Sequence, residues 1–591
     1  MSSRHFINDA TDLVHAALHS LTLTNPHVAL DAEHKIVYRR PSPHAAPQVA
    51  LLAGGGSGHE PSFAGMVGPG MLTAAVAGTV FASPSAEQVR QALMTRVGAA
   101  GGRGVLVVVM NYTGDVLNFG MAVEQARAAA SAGVAIEMVV VGDDVGVGRA
   151  RGGKVGRRGI AGTVLVLKIA GALAARGAPL ADVARVARLA ADNTVSVGAS
   201  LAHVHVPGRA VVDEDGLARG EVEIGMGIHN EAGCEKAQLA LPALVTKMLA
   251  QLLDGTDADR AFLTVNSNEV VLLVNNLGGV SPLEMGAITS EVVAQLRDAH
   301  RIRPVRVISG TFMTSLNGMG FSISLLNVVN TGVAGGAAAL NMVELLDAPS
   351  EVTGWSAPVQ RTTWEAAAGR AEEPAVVKRQ EEEAKPSGLT YDAEAAKEAL
   401  TAALKKVIAA EPDVTRYDTV VGDGDCGIGM KRGAEAVLKH LETRPLSGDL
   451  VVDVAGIVRV VESTMDGTSG ALYAIFLNAL VHGLRARAPG AASLGLWAAA
   501  LRQSCDALAR YTPARPGDRT LVDALYPFVE TLAAGGDVAQ AARAAREAAE
   551  ATKGMKASLG RSVYVGGSGY EEVPDPGAWG LACLFEGLAG I

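Results

Sequence analysis

Between Arg361 and Lys385 eleven charged residues crowd into a run, EEPAVVKRQEEEAKP at its densest, that ends in the breaker Pro386-Ser387-Gly388. A segment this polar cannot build a core, and the texture of the sequence differs on its two sides, so it reads as an interdomain linker. The alternative is a solvated helix within a single domain. The expected division is an α/β domain over 1–355, a charged linker over 356–388 and a helical domain over 389–591. With 591 residues the chain is several times the usual domain size of about 100–200, which also calls for more than one core.

On the N-terminal side, short β-rich runs (Val49–Leu52, Val105–Val109, Ile136–Val141, Val270–Val274, Val305–Ile308) alternate with Ala/Leu-rich helical stretches, the pattern of an α/β fold. Several runs lead straight into Gly-rich segments: LLAGGGSGHEP, VVVMNYTGD, LLVNNLGGV and VISGTFMTSL. Ligand sites in open α/β sheets collect at such strand ends. On the C-terminal side Leu400, Leu404, Val407 and Ile408 follow helical spacing, and Asp537–Thr552 is Ala-rich with helical charge spacing. The expected fold class is therefore multidomain, α/β followed by all-α.

Composition closes off several classes of function. Hydrophobic residues at 49% against 19% charged fit a folded chain with large cores, and a net charge of -10 argues against a general polyanion binder, so nucleic acid is not expected as a partner. The four cysteines, Cys234, Cys426, Cys505 and Cys583, are far apart, which fits reduced thiols. The uncharged stretches 61–86 and 307–343 are broken by Gly, Pro, Ser, Thr and Asn, so they are read as buried strands and loops rather than membrane spans. The N-terminal MSSRHFINDATDL lacks a signal-peptide apolar region, and a cytosolic location is expected.

The chemistry is concentrated in a few segments. Asp418 and the turn Gly422-Asp423-Gly424-Asp425-Cys426-Gly427 place three carboxylates within eight residues, and clustered anions repel unless a cation such as Mg²⁺ sits among them. An EF-hand fails, because counting from Asp423 puts Ile428 where Gly is needed and Ala434 where Glu is needed. A solvated acidic turn remains open. The same turn matches G-x-G-x-x-G but lacks a βαβ context. Thr468-Ser469-Gly470 precedes the helical run 472–484 and offers amides for phosphate, the bland alternative being an N-cap by Thr468 or Ser469. No P-loop sequence occurs. In the first domain Gly54–Pro61 (GGGSGHEP) follows a strand, and Asn111–Asp115 (NYTGD) supplies a carboxylate able to pair with His59 as an acid/base couple, or to cap the stretch 116–130. His229 lies in GMGIHNE, a loop flanked by glycine and small polar residues where a histidine taken singly is more often structural than catalytic, and His203-Val204-His205 is read as structural.

Taken together, GGGSGHEP, NYTGD, GRRGIAGTV, GMGIHNE, NNLGG, GTFMTSL, GDGDCG, GTSGALY, GDRT and DPGA, in that order along the whole chain, resemble the ATP-dependent dihydroxyacetone kinase (glycerone kinase, triokinase) family in its single-chain form. The resemblance implies a substrate-binding kinase domain followed by a nucleotide-binding helical barrel, acting as a homodimer with ATP and Mg²⁺ on dihydroxyacetone and glyceraldehyde. It implies that His229 binds the ketone as a hemiaminal, that His59 and Asp115 are the acid/base pair with Asp115 the base, and that Gly56, Ser57 and Gly58 cradle substrate. It further implies metal ligation by Asp418, Asp423 and Asp425. ATP contacts would come from Gly424, Asp425, Cys426 and Gly427, from Thr468, Ser469 and Gly470, from Arg519 and Thr520, and from Asp575, Pro576 and Gly577.

Three positions depart from the family pattern: Met110 where Lys precedes N-Y-T-G-D, Asp466 where Gly is common before G-T-S-G, and Leu167 where His is common. The first removes a donor expected beside substrate, and the second adds a carboxylate near triphosphate. Two rival functions stand beside the kinase: a lyase that splits FAD into AMP and cyclic FMN in the nucleotide domain, and a silent dihydroxyacetone sensor, which an intact acidic triad disfavours.

Overall fold

The computed structural model describes residues 5–41, 46–97, 102–129, 135–209, 217–265, 268–334, 339–356, 359–367, 384–557, 559 and 570–591. The chain divides into two compact units, Met1–Glu373 and Pro374–Ile591. Within the expected linker, 357–358 and 368–383 lie outside the described residues, while Arg361–Ala367 is helical.

The first unit is α/β, built on two six-stranded sheets. One contains β1 (Val28–Asp31), β2 (Ile36–Arg39), β3 (Ala50–Ser57), β4 (Ala74–Val80), β5 (Val105–Met110) and β6 (Ile136–Val141), in the order β1-β2-β4-β3-β5-β6. Its β4-β3-β5-β6 portion is parallel. All eight residues of β3 and all six of β5 are buried, as the unbroken apolar runs of a doubly covered parallel sheet require. The second sheet contains β7 (Thr194–Ser200), β8 (Val222–Ile224), β9 (Glu235–Ala237), β10 (Val270–Asn276), β11 (Arg306–Gly310) and β12 (Gly320–Asn327), in the order β11-β10-β12-β7-β8-β9. Only β10 and β11 pair in parallel.

β3 runs past the apolar stretch read from sequence and on through Gly54–Gly56. A Cβ at Gly54 would collide with the Val76 carbonyl oxygen of β4, so glycine here permits close strand approach. The apolar core between the sheets also holds the helix Thr163–Ala175, and Leu167 is fully buried in it. The departure at Leu167 is thus a packing position.

The second unit is helical apart from a two-residue parallel strand pair. Eight helices among its described residues, Ala393–Val421, Cys426–Thr443, Leu450–Thr464, Gly467–Arg485, Leu494–Leu508, Val522–Ala533, Val538–Ala551 and Pro576–Ala589, pack each against the next, and the last packs against the first. The result is a closed ring around an apolar cavity of about 520 Å³, lined by side chains such as Leu404, Val407, Met430, Phe476 and Phe528. Since consecutive helices that are sequence neighbours and packing neighbours run up and down, the starts of the second, fourth, sixth and eighth helices share one rim. No helix among the described residues is long and apolar enough to cross a membrane. The four cysteines are free thiols.

Candidate active site

In the α/β unit the loops at the strand ends converge on His229. Asn275, at the end of β10, accepts from the amides of Phe312 and Met313 and donates to the Met313 carbonyl, which fixes the loop after β11. That loop in turn holds His59 and the segment before His229: the Thr314 carbonyl lies 2.8 Å from His59 Nδ1, and Ser315 Oγ donates to the Ile228 carbonyl at 2.7 Å. NNLGG and GTFMTSL are thereby given a scaffolding part.

His59 is fully buried, and its Nε2 stands 3.0 Å from His229 Nε2. The direct His59–Asp115 couple expected from sequence is not formed, because His59 spends its ring nitrogens on Thr314 and His229. Burial and the neighbouring imidazole of His229 push His59 down to about 3, so it is neutral at pH 7. Asp115 is 4% exposed, one Oδ has no partner, and burial raises its carboxyl above the usual range despite Ser83 and His229. It lies in the first turn of the helix Thr113–Ala129, two residues inside the start, and is not its N-cap.

Three rings surround the imidazole of His229: His59 at 4.7 Å, Phe81 at 5.3 Å and Tyr112 at 4.7 Å, all nearly perpendicular to it. Phe81 takes this place with φ 60°, a left-handed backbone that is strained for a phenylalanine. Glu231 completes the seat, with Oε1 3.0 Å from His229 Nδ1 and Oε2 accepting from the His229 amide at 2.9 Å. Phe81, Tyr112 and Glu231 escape motif reading as functional residues, although Tyr112 lies in the quoted NYTGD and Glu231 ends the quoted GMGIHNE.

In the cradle region, Ser57 Oγ donates to the Gly78 carbonyl and the Gly58 amide donates to Glu60. What Gly56–Gly58 leave available is space, Gly58 having φ 103°. Met110 is 1% exposed within the apolar core cluster, so position 110 ends a buried strand. His203 and His205 do not lie in a strand. His203 meets Glu223, and His205 bonds the Arg209 carbonyl and stacks on His5.

On the helical unit, the remaining motifs meet at the shared rim. Asp418, in the last turn of the first helix, accepts from the Cys426 amide that starts the second. One carboxylate oxygen from each of Asp418, Asp423 and Asp425 falls within 4.8 Å of the others, a spacing and donor set that suit a hard divalent cation such as Mg²⁺. Gly424 allows the turn with φ 80°. Cys426 Sγ lies 3.7 Å from Ser469 Oγ, so the acidic turn and the Thr468-Ser469-Gly470 segment are adjacent. That helix starts at Gly467 with Asp466 as N-cap, replacing the cap expected at Thr468 or Ser469, and no side chain caps its amides. Asp466 pairs with Arg432, so the extra carboxylate meets a cation.

The Arg519 side chain is buried at 2% exposure, and its guanidinium donates to the Met555 and Val573 carbonyls, bracing the segment before the last helix. Thr520 donates its amide to Asp523. Asp575 caps the last helix by accepting from the Ala578 amide at 2.7 Å, with Pro576 as the first helical residue and Gly577 packed on Leu521. Burial, reinforced by Asp523 and Asp418 against the pull of Ala578 and Arg519, raises Asp575 to about 7. An aspartate ionises near 3.8 when exposed, so the native state loses stability as pH rises from about 4 to about 7, by at most about 4 kcal/mol. Asp575→Asn keeps the cap acceptor and removes the charge. In metal-free, nucleotide-free protein it should melt above wild type at pH 8, with the difference shrinking toward pH 4.

Residues 19–354 match the Dak1 domain and residues 420–590 the DAK2 domain. The chain is 42% identical to the dihydroxyacetone kinase of Pichia angusta, covering 100% of this chain and 98% of that one. It is 36% identical to the triokinase/FMN cyclase of Homo sapiens, covering 100% of both. Among solved structures, the dihydroxyacetone kinase of C. freundii in complex with AMP-PNP and Mg²⁺ matches with a TM-score of 0.63 and 32% identity over 100% of both chains.

Proposed function

The chain belongs to the dihydroxyacetone kinase family, with Dak1 and DAK2 domains on one polypeptide, and on that premise we propose that it phosphorylates dihydroxyacetone and glyceraldehyde with MgATP. The observation that carries the reading is the completeness of two centres on one chain: the His59, Asp115 and His229 group, and the acidic triad on the helical rim.

His229 would add through Nε2 to the substrate carbonyl and hold it as a hemiaminal, with perpendicular rings limiting its reorientation. The terminal hydroxyl then gives its proton to Asp115, whose unpartnered buried oxygen and raised basicity suit a general base. On the rim, Asp418, Asp423 and Asp425 would hold Mg²⁺, which when bound offsets charge on the phosphates during in-line transfer. The uncapped amides at Gly467–Ser469, together with the starts of the Cys426 and Pro576 helices, would bind phosphate oxygens. Arg519 serves this site by bracing it through Met555 and Val573.

The domain limits 1–355 and 389–591, the homodimer and the cytosolic location form part of the same proposal. Cleavage of FAD into AMP and cyclic FMN at this rim is a second reading, favoured by the human relative named triokinase/FMN cyclase. Acceptor-dependent ADP release decides the first. Dihydroxyacetone and glyceraldehyde should each stimulate it, and ADP release that no triose stimulates would overturn the kinase reading.

A further inference from the structure

We propose that Glu231 is a positioning residue that locks His229 as an Nδ1 donor and keeps one extra proton between the two facing Nε2 atoms, the proton that becomes the hydroxyl hydrogen of the hemiaminal. This rests on the hemiaminal reading above.

The hydrogen-bond partners force the assignment. A carbonyl can only accept, so His59 Nδ1, 2.8 Å from the Thr314 carbonyl, must carry hydrogen. Glu231 is held ionised: burial alone would raise its carboxyl, but the hydrogen bond and charge of the His229 ring, with the His229 amide, bring it down to about 2. An ionised carboxylate only accepts, so His229 Nδ1, 3.0 Å from Oε1, carries hydrogen as well. With both Nδ1 positions protonated, two neutral rings would point bare lone pairs at each other across 3.0 Å. One proton must lie between them. Burial and the adjoining imidazole keep His59 neutral, so across the 3.0 Å contact His59 Nε2 is the acceptor.

The charged and titratable groups facing His229 are His59, Glu231, Tyr112 and, at longer range, Asp115. Behind them Arg158, bound to Asp144 at 2.7 Å and to the Gly225 carbonyl, reaches within 4.0 Å of Glu231 and steadies the anion.

The step balances without solvent. The shared proton shifts to His59 Nε2, the freed lone pair of His229 Nε2 forms a bond to the carbonyl carbon, and the C=O π pair moves to oxygen, which takes the proton back from His59. No proton enters or leaves. One positive charge is present before, on His229, and one after, on the substituted imidazolium, with Glu231 as counter-ion throughout. Preorganised charge compensation of this kind removes a reorganisation cost from the addition.

The test uses the full-length enzyme and dihydroxyacetone labelled with ¹³C at the carbonyl, read by NMR as the fraction of bound carbonyl carbon converted to a tetrahedral centre across pH. Removing the counter-ion lets the pair lose its proton at lower pH. Glu231→Gln should therefore move the alkaline fall of the adduct down by about one unit or more, with about tenfold less adduct above that limb. Glu231→Asp should bring the limb back toward wild type. Glu231→Gln with an unmoved limb, including a loss that is uniform over pH as a loosened loop would give, overturns the proposal. A wild-type enzyme with no tetrahedral carbon at any pH overturns the hemiaminal reading, and this proposal with it.

Discussion

Asp423→Ala or Asp425→Ala should lower dihydroxyacetone-dependent ADP formation by about a thousandfold or more while dihydroxyacetone still binds. The size of the effect follows from what the two carboxylates do. They are local to one turn between helices and share a 4.8 Å cluster with Asp418, so losing either leaves a hard cation with too few anionic ligands. Without the cation, the charge developing on the transferred phosphoryl group is met only by helix N-termini, which supply partial charges. Fold should survive, because neither residue packs in the core and both are exposed. Asp418 is a less clean test, since it is buried and also bonds the Cys426 amide. ADP release at limiting Mg²⁺, run beside calorimetric binding of dihydroxyacetone, separates the outcomes. Wild-type turnover by Asp423→Ala at limiting Mg²⁺ would remove the metal site from the account.

His229→Ala should abolish the preference for dihydroxyacetone over glycerol. Glycerol offers the same terminal hydroxyls but no electrophilic carbon, so shape alone discriminates poorly between them, whereas a covalent bond to the carbonyl separates them widely. In the folded variant, affinity for dihydroxyacetone should fall by about a hundredfold or more, the tetrahedral adduct should vanish, and the preference should approach unity. A structural histidine would give a different pattern: truncation would empty the space between His59, Phe81 and Tyr112, lower the melting temperature and depress all substrates in proportion. Measuring kcat/KM for both acceptors distinguishes the two. A variant that keeps its preference would contradict the hemiaminal.

The sequence carried some of this more readily than the rest. The strands at 105–110 and 136–141 and the helical spacing after 393 are local signals, as is the crowding of Asp423 and Asp425 in one turn. The glycines of GGGSGHEP suggested a ligand loop, and their part within β3 is to let neighbouring backbone approach, which depends on a strand pairing that local pattern does not encode. The pairing of His59 with His229 spans 170 residues and is set by Thr314, itself positioned by Asn275, so no spacing rule announces it. Phe81 and Tyr112 carry no local signal of their part, because nothing local marks a ring that faces an imidazole. Arg519, in a motif that suggested direct nucleotide contact, points its guanidinium at backbone carbonyls, a distinction only tertiary geometry can make. The four rim segments are scattered from 418 to 577, and it is the alternation of an eight-helix ring that gathers them.

The central claim, a MgATP-dependent kinase selective for small carbonyl compounds, is tested most directly by one side-by-side assay. Purified full-length protein is given MgATP with dihydroxyacetone, glyceraldehyde or glycerol and scored for ADP, and given FAD with Mg²⁺ or Mn²⁺ and scored for AMP. The account predicts ADP formation with dihydroxyacetone and glyceraldehyde that exceeds the glycerol rate by about a hundredfold or more. ADP formation that glycerol supports equally well, or AMP release from FAD with no triose-dependent ADP, would contradict it.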